Sequence, residues 1–161
     1  MQKEIAMKIL FVDVDGPLIP SSEFLLDKMC SFQRRLPKLQ IALLNAICER
    51  TGAKVVMNTT HNMRHPDIPN IRDAMVASGF NSDYFHTDRP STQYPNGSRS
   101  NAVISWLSGF GSDVTDYVCI DDVMCAAPDH MELIDPDLGL QLSNVNRIIE
   151  RFGGKPFIFL M

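Results

Sequence analysis

Three short apolar runs, separated by segments of helical spacing, constrain the fold more than any other feature of the chain. Lys8–Val12 reads Lys-Ile-Leu-Phe-Val, Lys54–Met57 reads Lys-Val-Val-Met, and Asp116–Ile120 reads Asp-Tyr-Val-Cys-Ile. Runs this short and this continuously apolar suit strands covered on both faces, as in a parallel sheet. Between them apolar residues recur at helical spacing: Leu39, Leu43, Ala46 and Ile47 before Gly52; Ile71, Met75 and Val76 before Gly79; Val103, Trp106, Leu107 and Phe110 before Gly111. Each stripe ends at a glycine suited to a C-cap, and each precedes a strand-like run. The alternation predicts an α/β chain with a mostly parallel central sheet and helices on both faces. A further strand is expected over Met131–Ile134. A last helix is expected from Val145, Ile148, Ile149 and Phe152, closed by Gly153-Gly154.

With 161 residues, one domain spanning 1–161 is expected, able to bury roughly 70% of the surface its unfolded form exposes. The balance of 15 Lys plus Arg against 19 Asp plus Glu, a net charge of −4, excludes a protein that coats long nucleic acid by neutralising it. A short nucleic-acid end in a small site stays open. Cys30, Cys48, Cys119 and Cys125 fall in apolar surroundings without a CxxC pair, which predicts reduced core thiols. No apolar stretch approaches the roughly 18 residues of a membrane helix, and a cytoplasmic protein is expected. The stretches Pro66–Asn70 and Ser91–Asn101 read as loops. The apolar end, Pro156–Met161, must be covered, as a strand on the sheet edge or by a subunit contact; monomer and small homo-oligomer both stay open.

The chemistry concentrates after the strands. Phe11-Val12-Asp13-Val14-Asp15-Gly16-Pro17-Leu18 delivers two carboxylates at alternate positions and then a glycine turn, and Asp121-Asp122 follows another apolar run. In open α/β sheets ligands bind beyond the C-terminal ends of strands. If these strands are neighbours, the carboxylates converge, and such crowding is tolerable only with a cation between them. Oxygen ligands without clustered His or Cys favour Mg²⁺ over zinc. The absence of GxxxxGK(S/T) makes a P-loop NTPase improbable. A receiver domain would carry its phosphorylated Asp after the middle strand, where this chain has Asn58-Thr59.

The ordered set of Asp13-x-Asp15-Gly16, Thr59-Thr60 after the second run, Arg99 opening a later helix and Asp121-Asp122 resembles the haloacid dehalogenase (HAD) superfamily. The phrases around Leu39 to Asn58, Arg99 to Leu107 and Val118 to Leu140, including Ile134-Asp-Pro-Asp-Leu-Gly-Leu140, resemble the small HAD domain of Swiss-Army-knife RNA repair proteins. The resemblance implies a three-layer Rossmann-like fold and a Mg²⁺-dependent phosphatase working through an aspartyl phosphate. Asp13 would be the nucleophile. Asp15 would be the acid and base, with its backbone carbonyl on the metal. Gly16, Thr59, Thr60 and Arg99 would hold phosphoryl oxygens, with Arg99 and Thr59 counted in the catalytic set. Asp13, Asp15, Asp121 and Asp122 would form the metal site, Asp122 binding directly and Asp121 acting on it or through its waters.

Several positions depart from the family pattern. Pro17 stands where Thr or Val is commoner, Arg99 replaces the commoner Lys, and Thr60-His-Asn-Met-Arg64 replaces a Ser-Trp-Arg phrase. His61 and Arg64 either shape substrate choice or face solvent; Arg34, Arg35 and Lys38 either meet a phosphate backbone or mark a charged helix end. The intervals Leu18–Met57 and Thr60–Arg99 leave no room for a sizeable cap. An open site of this kind resembles enzymes acting on large or exposed phosphates, among them nucleotides and the ends of RNA or DNA. The competing reading is a non-catalytic HAD-like domain that binds phosphorylated nucleic acid, a nucleotide or a protein partner. Keeping both Asp13 and Asp15 argues against it.

Overall fold

The computed structural model describes residues 6–26, 36–60, 70–86 and 98–158. Four strands, β1 (Met7–Val12), β2 (Lys54–Met57), β3 (Val114–Asp121) and β4 (Met131–Leu133), form one sheet in the order β2-β1-β3-β4, and every pair is parallel. The helices are α1 (Glu23–Leu26), α2 (Lys38–Thr51), α3 (Ile71–Ala77), α4 (Arg99–Phe110) and α5 (Leu142–Arg151).

Side chains alternate across a strand, so β1 feeds two cores. Leu10 and Val12 join Ile41, Leu44 and Ile47 of α2 and Val145, Ile148 and Ile149 of α5. Ile9 and Phe11 join Val56, Cys119 and Met131 with Val103 and Trp106 of α4. The result is three layers, with α2, α3 and α5 on one face of the sheet and α4 on the other. This is the α/β fold the apolar runs predict. Among the described residues no helix is long and apolar enough to cross a membrane.

Details depart from the sequence expectations. In α2 the buried stripe is Gln40, Ile41, Leu44, Ile47 and Cys48, while Leu39 is exposed. The stripe is rotated by one residue because Gln40 is inside, with its amide directed at the Leu140 carbonyl at 3.5 Å. Val76 and Phe110 are likewise exposed. Between α3 and α4 the described residues make a single bridge, Val55 to Phe85, on the outer side of β2, and no strand. The described part of the apolar end is not an edge strand. Phe157 is held by its N–H to Asn146 Oδ1 (2.8 Å) and by the Arg50 guanidinium 3.9 Å over its ring, so side chains of α5 and α2 cover it. Cys48, Cys119 and Cys125 are buried free thiols, as expected. Cys30, Arg34, Arg35, His61, Arg64, residues 66–69 and 91–97 of the two predicted loops and residues 159–161 lie outside the described residues, whereas Arg99–Asn101, read as loop, form the first turn of α4 behind the Ser98 cap.

Candidate active site at the strand ends

Strand register brings the site together. Val12 of β1 lies level with Met57 of β2 and Ile120 of β3. The ladder runs one residue further, with Asp13 N–H donating to Ile120 O (3.0 Å) and Asn58 N–H donating to Val12 O (2.9 Å). Asp13, Asn58 and Asp121 therefore form one layer at the C-terminal edge of the sheet. The two-residue period that points Ile9, Phe11 and Cys119 at α4 also points Asp13 and Asp121 to that face. Arg99 is the first residue of α4, a start marked by the Ser98 hydroxyl accepting the Asn101 N–H at 3.2 Å.

One nitrogen of that arginine serves several acids. Arg99 Nη1 donates to Asp13 Oδ2 at 2.9 Å and to Asp121 Oδ1 at 2.5 Å, and lies 3.8 Å from Asp122 Oδ1. Asp13 and Asp121 are almost wholly buried, whereas Asp122 is half-buried. Burial pushes the Asp13 carboxyl above the usual range; the Arg99 charge, the Val14 N–H and the Thr59 side chain pull it back, and Asp15 raises it again. Asp121 is pushed up to about 7, first by burial and then by the neighbouring Asp13, against the opposing pull of Arg99. Partial burial opposes the charge on Arg99, but Asp13, Asp121 and Asp122 outweigh it and hold its pKa above the ordinary value.

The residues fit a hard divalent cation. Asp13, Asp121 and Asp122 each bring one carboxylate oxygen within 4.8 Å of the others. Asp121 Oδ1 already accepts from Arg99 and from the Val123 N–H (3.0 Å), yet its buried Oδ2 has no hydrogen-bond partner among the described residues. An unsatisfied buried oxygen on one of three crowded carboxylates marks a site short of positive charge.

The turn after β1 is built for close approach. Leu18 N–H and Ile19 N–H both donate to Val14 O, and Gly16 N–H donates to Ile19 O, so Pro17 in the middle costs no bond. Gly16 has φ +98°, and a Cβ there would stand 2.9 Å from Asp122 Cγ. Only glycine lets the turn and the second acidic residue of Asp121-Asp122 pack together. Thr59 is fully buried and reaches Asp13 through its side chain. Thr60 and Asp15 are exposed at the mouth, and the Asp15 carboxylate is not part of the three-carboxylate group. Lys38 is exposed at the start of α2.

The structure thus brings together Asp13, Gly16, Thr59, Arg99, Asp121 and Asp122, with Asp15 and Thr60 on the rim. What the sequence did not assign a role is the buttress under the turn. Leu140 N–H donates to Pro17 O at 2.8 Å, Ser21 N–H to Pro136 O at 2.8 Å, and Gly139, at φ +69°, packs against the Gly16 and Pro17 carbonyls. The Asp-Pro-Asp-Leu-Gly phrase at 135–139 is the signal that marks it, since such turn-forming composition after a strand holds a fixed loop.

A parallel α/β sheet with an aspartate pair beyond β1, a threonine beyond β2, an arginine opening α4 and two aspartates ending β3 defines a HAD-type Rossmann-like domain. The chain belongs to the family described as the HAD domain in Swiss Army Knife RNA repair proteins, whose model matches residues 9–145. No curated protein and no solved structure matches the chain.

Proposed function

We propose that residues 1–161 form one capless HAD phosphatase domain that hydrolyses a phosphomonoester on a nucleotide or a nucleic-acid end, with Asp13 as nucleophile. The observation that supports it most is the layer in which Asp13 and Asp121, from adjacent strands, share Arg99. In the first step an oxygen of Asp13 forms a bond to phosphorus while the bond to the leaving oxygen breaks, and Asp15 gives that oxygen its proton. In the second, Asp15 takes a proton from water as the water oxygen bonds to phosphorus and the Asp13–phosphorus bond breaks. Phosphate leaves and both aspartates return to their starting forms.

Thr59, its neighbouring backbone amides, Gly16 and Thr60 hold the phosphoryl oxygens, and Arg99 neutralises charge that builds on them. Asp13, Asp121, Asp122 and the Asp15 carbonyl would hold Mg²⁺, which when bound screens the anionic nucleophile from the anionic phosphate. The family's RNA repair setting and the exposure of Asp15 and Thr60 at the mouth favour a large substrate presenting its phosphate at an end.

The test is a parallel screen of 3′- and 5′-phosphorylated oligonucleotides, free nucleotides and small sugar phosphates, with Asp13→Asn as the blank. Phosphate release from the nucleotide or oligonucleotide arms, dependent on Mg²⁺ and absent in D13N, is expected. Full activity in D13N would overturn the nucleophile, and a strong preference for sugar phosphates would overturn the substrate class.

A further inference from the structure

Arg99 stands among the three carboxylates that a shared cation would draw together. Its Nη1 lies within 3.8 Å of an oxygen from each of Asp13, Asp121 and Asp122. A Mg²⁺ ion takes oxygens at about 2.0–2.1 Å, so drawing these carboxylates onto one ion crowds the space that Nη1 now shares with them. Two positive centres in that half-dehydrated space repel strongly. An arginine cannot shed its proton to relieve this, so the side chain must move. The move is feasible, because Arg99 is half-buried, with its side chain 23% exposed, and its anchor is the first residue of α4 rather than mid-helix.

Arg99 also satisfies the acids incompletely, leaving Asp121 Oδ2 buried without a partner among the described residues. A single positive charge spread over three carboxylates is a placeholder that a divalent ion can outcompete.

Taking the centre as a phosphatase site, we infer that Arg99 is an internal counter-ion which the divalent cation displaces, so that cation binding frees the guanidinium for the substrate phosphate. Cation and phosphate then bind cooperatively. The cation drives Arg99 off the carboxylates, and the phosphate gives the displaced guanidinium a new partner. By reciprocity the phosphate tightens cation binding by the same factor.

The experiment is calorimetric titration of the full chain with Mg²⁺, with and without inorganic phosphate, for wild type, Arg99→Gln and Arg99→Lys. R99Q lacks the competitor and is expected to bind Mg²⁺ about tenfold more tightly than wild type without phosphate, within the usual range of coupled sites. Phosphate is expected to tighten Mg²⁺ several-fold in wild type and to leave R99Q unchanged. R99K, whose ammonium is a point charge rather than a bridging fork, is expected to fall between them, and it carries the test if thermal melting shows R99Q unfolded. Equal or weaker Mg²⁺ binding in both variants, with wild type binding Mg²⁺, overturns the displacement and leaves the phosphatase reading standing. No Mg²⁺ binding by any of the three overturns the metal site and the displacement together.

Discussion

Two buried acidic centres sit on opposite faces of the same sheet, and the fold treats them differently. Glu132 on β4 is 4% exposed; its Oε1 accepts from Asn144 Nδ2 (2.9 Å) and Arg147 Nε (2.9 Å) and lies 2.7 Å from Arg147 Nη2 in an ion pair, all from α5. At the strand ends Asp13 and Asp121 are as deeply buried, yet they share a single guanidinium nitrogen and leave an oxygen of Asp121 unpaired among the described residues. Buried polar groups in native proteins are almost always paired. The satisfied centre ties β4 to α5. The unsatisfied one holds like charges together at a cost to stability, as the proposed active site would.

Removing chemistry without removing fold should separate the centres most sharply. Asp13→Asn is expected to lower turnover at least about a thousandfold, the scale for loss of a nucleophile, while thermal melting without metal stays the same or rises. A melting point well below wild type would mean that Asp13 serves the fold as Glu132 does. Next in size is Gly16→Ala. A φ of +98° and a Cβ 2.9 Å from Asp122 Cγ combine backbone strain with a clash, expected to cost about 3 kcal/mol in denaturant unfolding and to lower turnover as Asp122 is pushed aside. An unfolding midpoint equal to wild type would show that the turn can relax.

The strand-end centre was more legible in the sequence than the one at Glu132, for a physical reason. Asp13 and Asp121 sit at the ends of apolar runs, and in a parallel sheet the strand ends come together whatever else the chain does. Arg99 was reached through the family resemblance, as the residue matching its third motif, because nothing in the apolar runs marks it. Glu132 was not, since its partners Asn144 and Arg147 lie on α5 and meet it only when that helix packs across the sheet. The same holds for the α2 stripe, where the partner of Gln40 is a carbonyl a hundred residues away. The cover over Phe157, from Asn146 and Arg50, is tertiary too, and composition alone suggested an edge strand there.

At the satisfied centre the expected loss is smaller and purely structural. Glu132→Ala strands the buried Asn144 amide, while the half-exposed Arg147 turns to water, for a cost of about 2 kcal/mol measured by denaturant unfolding. Turnover per folded molecule should not change. A fall in turnover at unchanged stability would show that Glu132 communicates with the acidic layer along β3.

The smallest expected effect is a slope. Asp121 titrates near 7 in the folded protein, against an ordinary 3.8, because burial and Asp13 disfavour its charge. The folded state therefore holds a proton that the unfolded chain has released between those values. Its contribution to stability is complete below about pH 3.8 and is lost as pH rises through about 7. With metal removed by chelator, unfolding free energy should fall with pH across this window, by at most about 1.4 kcal/mol per pH unit for one proton. Asp121→Asn should flatten the slope, because the amide has no proton to lose. Mg²⁺ should flatten it in wild type by favouring the ionised carboxylate. A slope unchanged in D121N would move the uncompensated charge to another acid, with Asp13 the next to test.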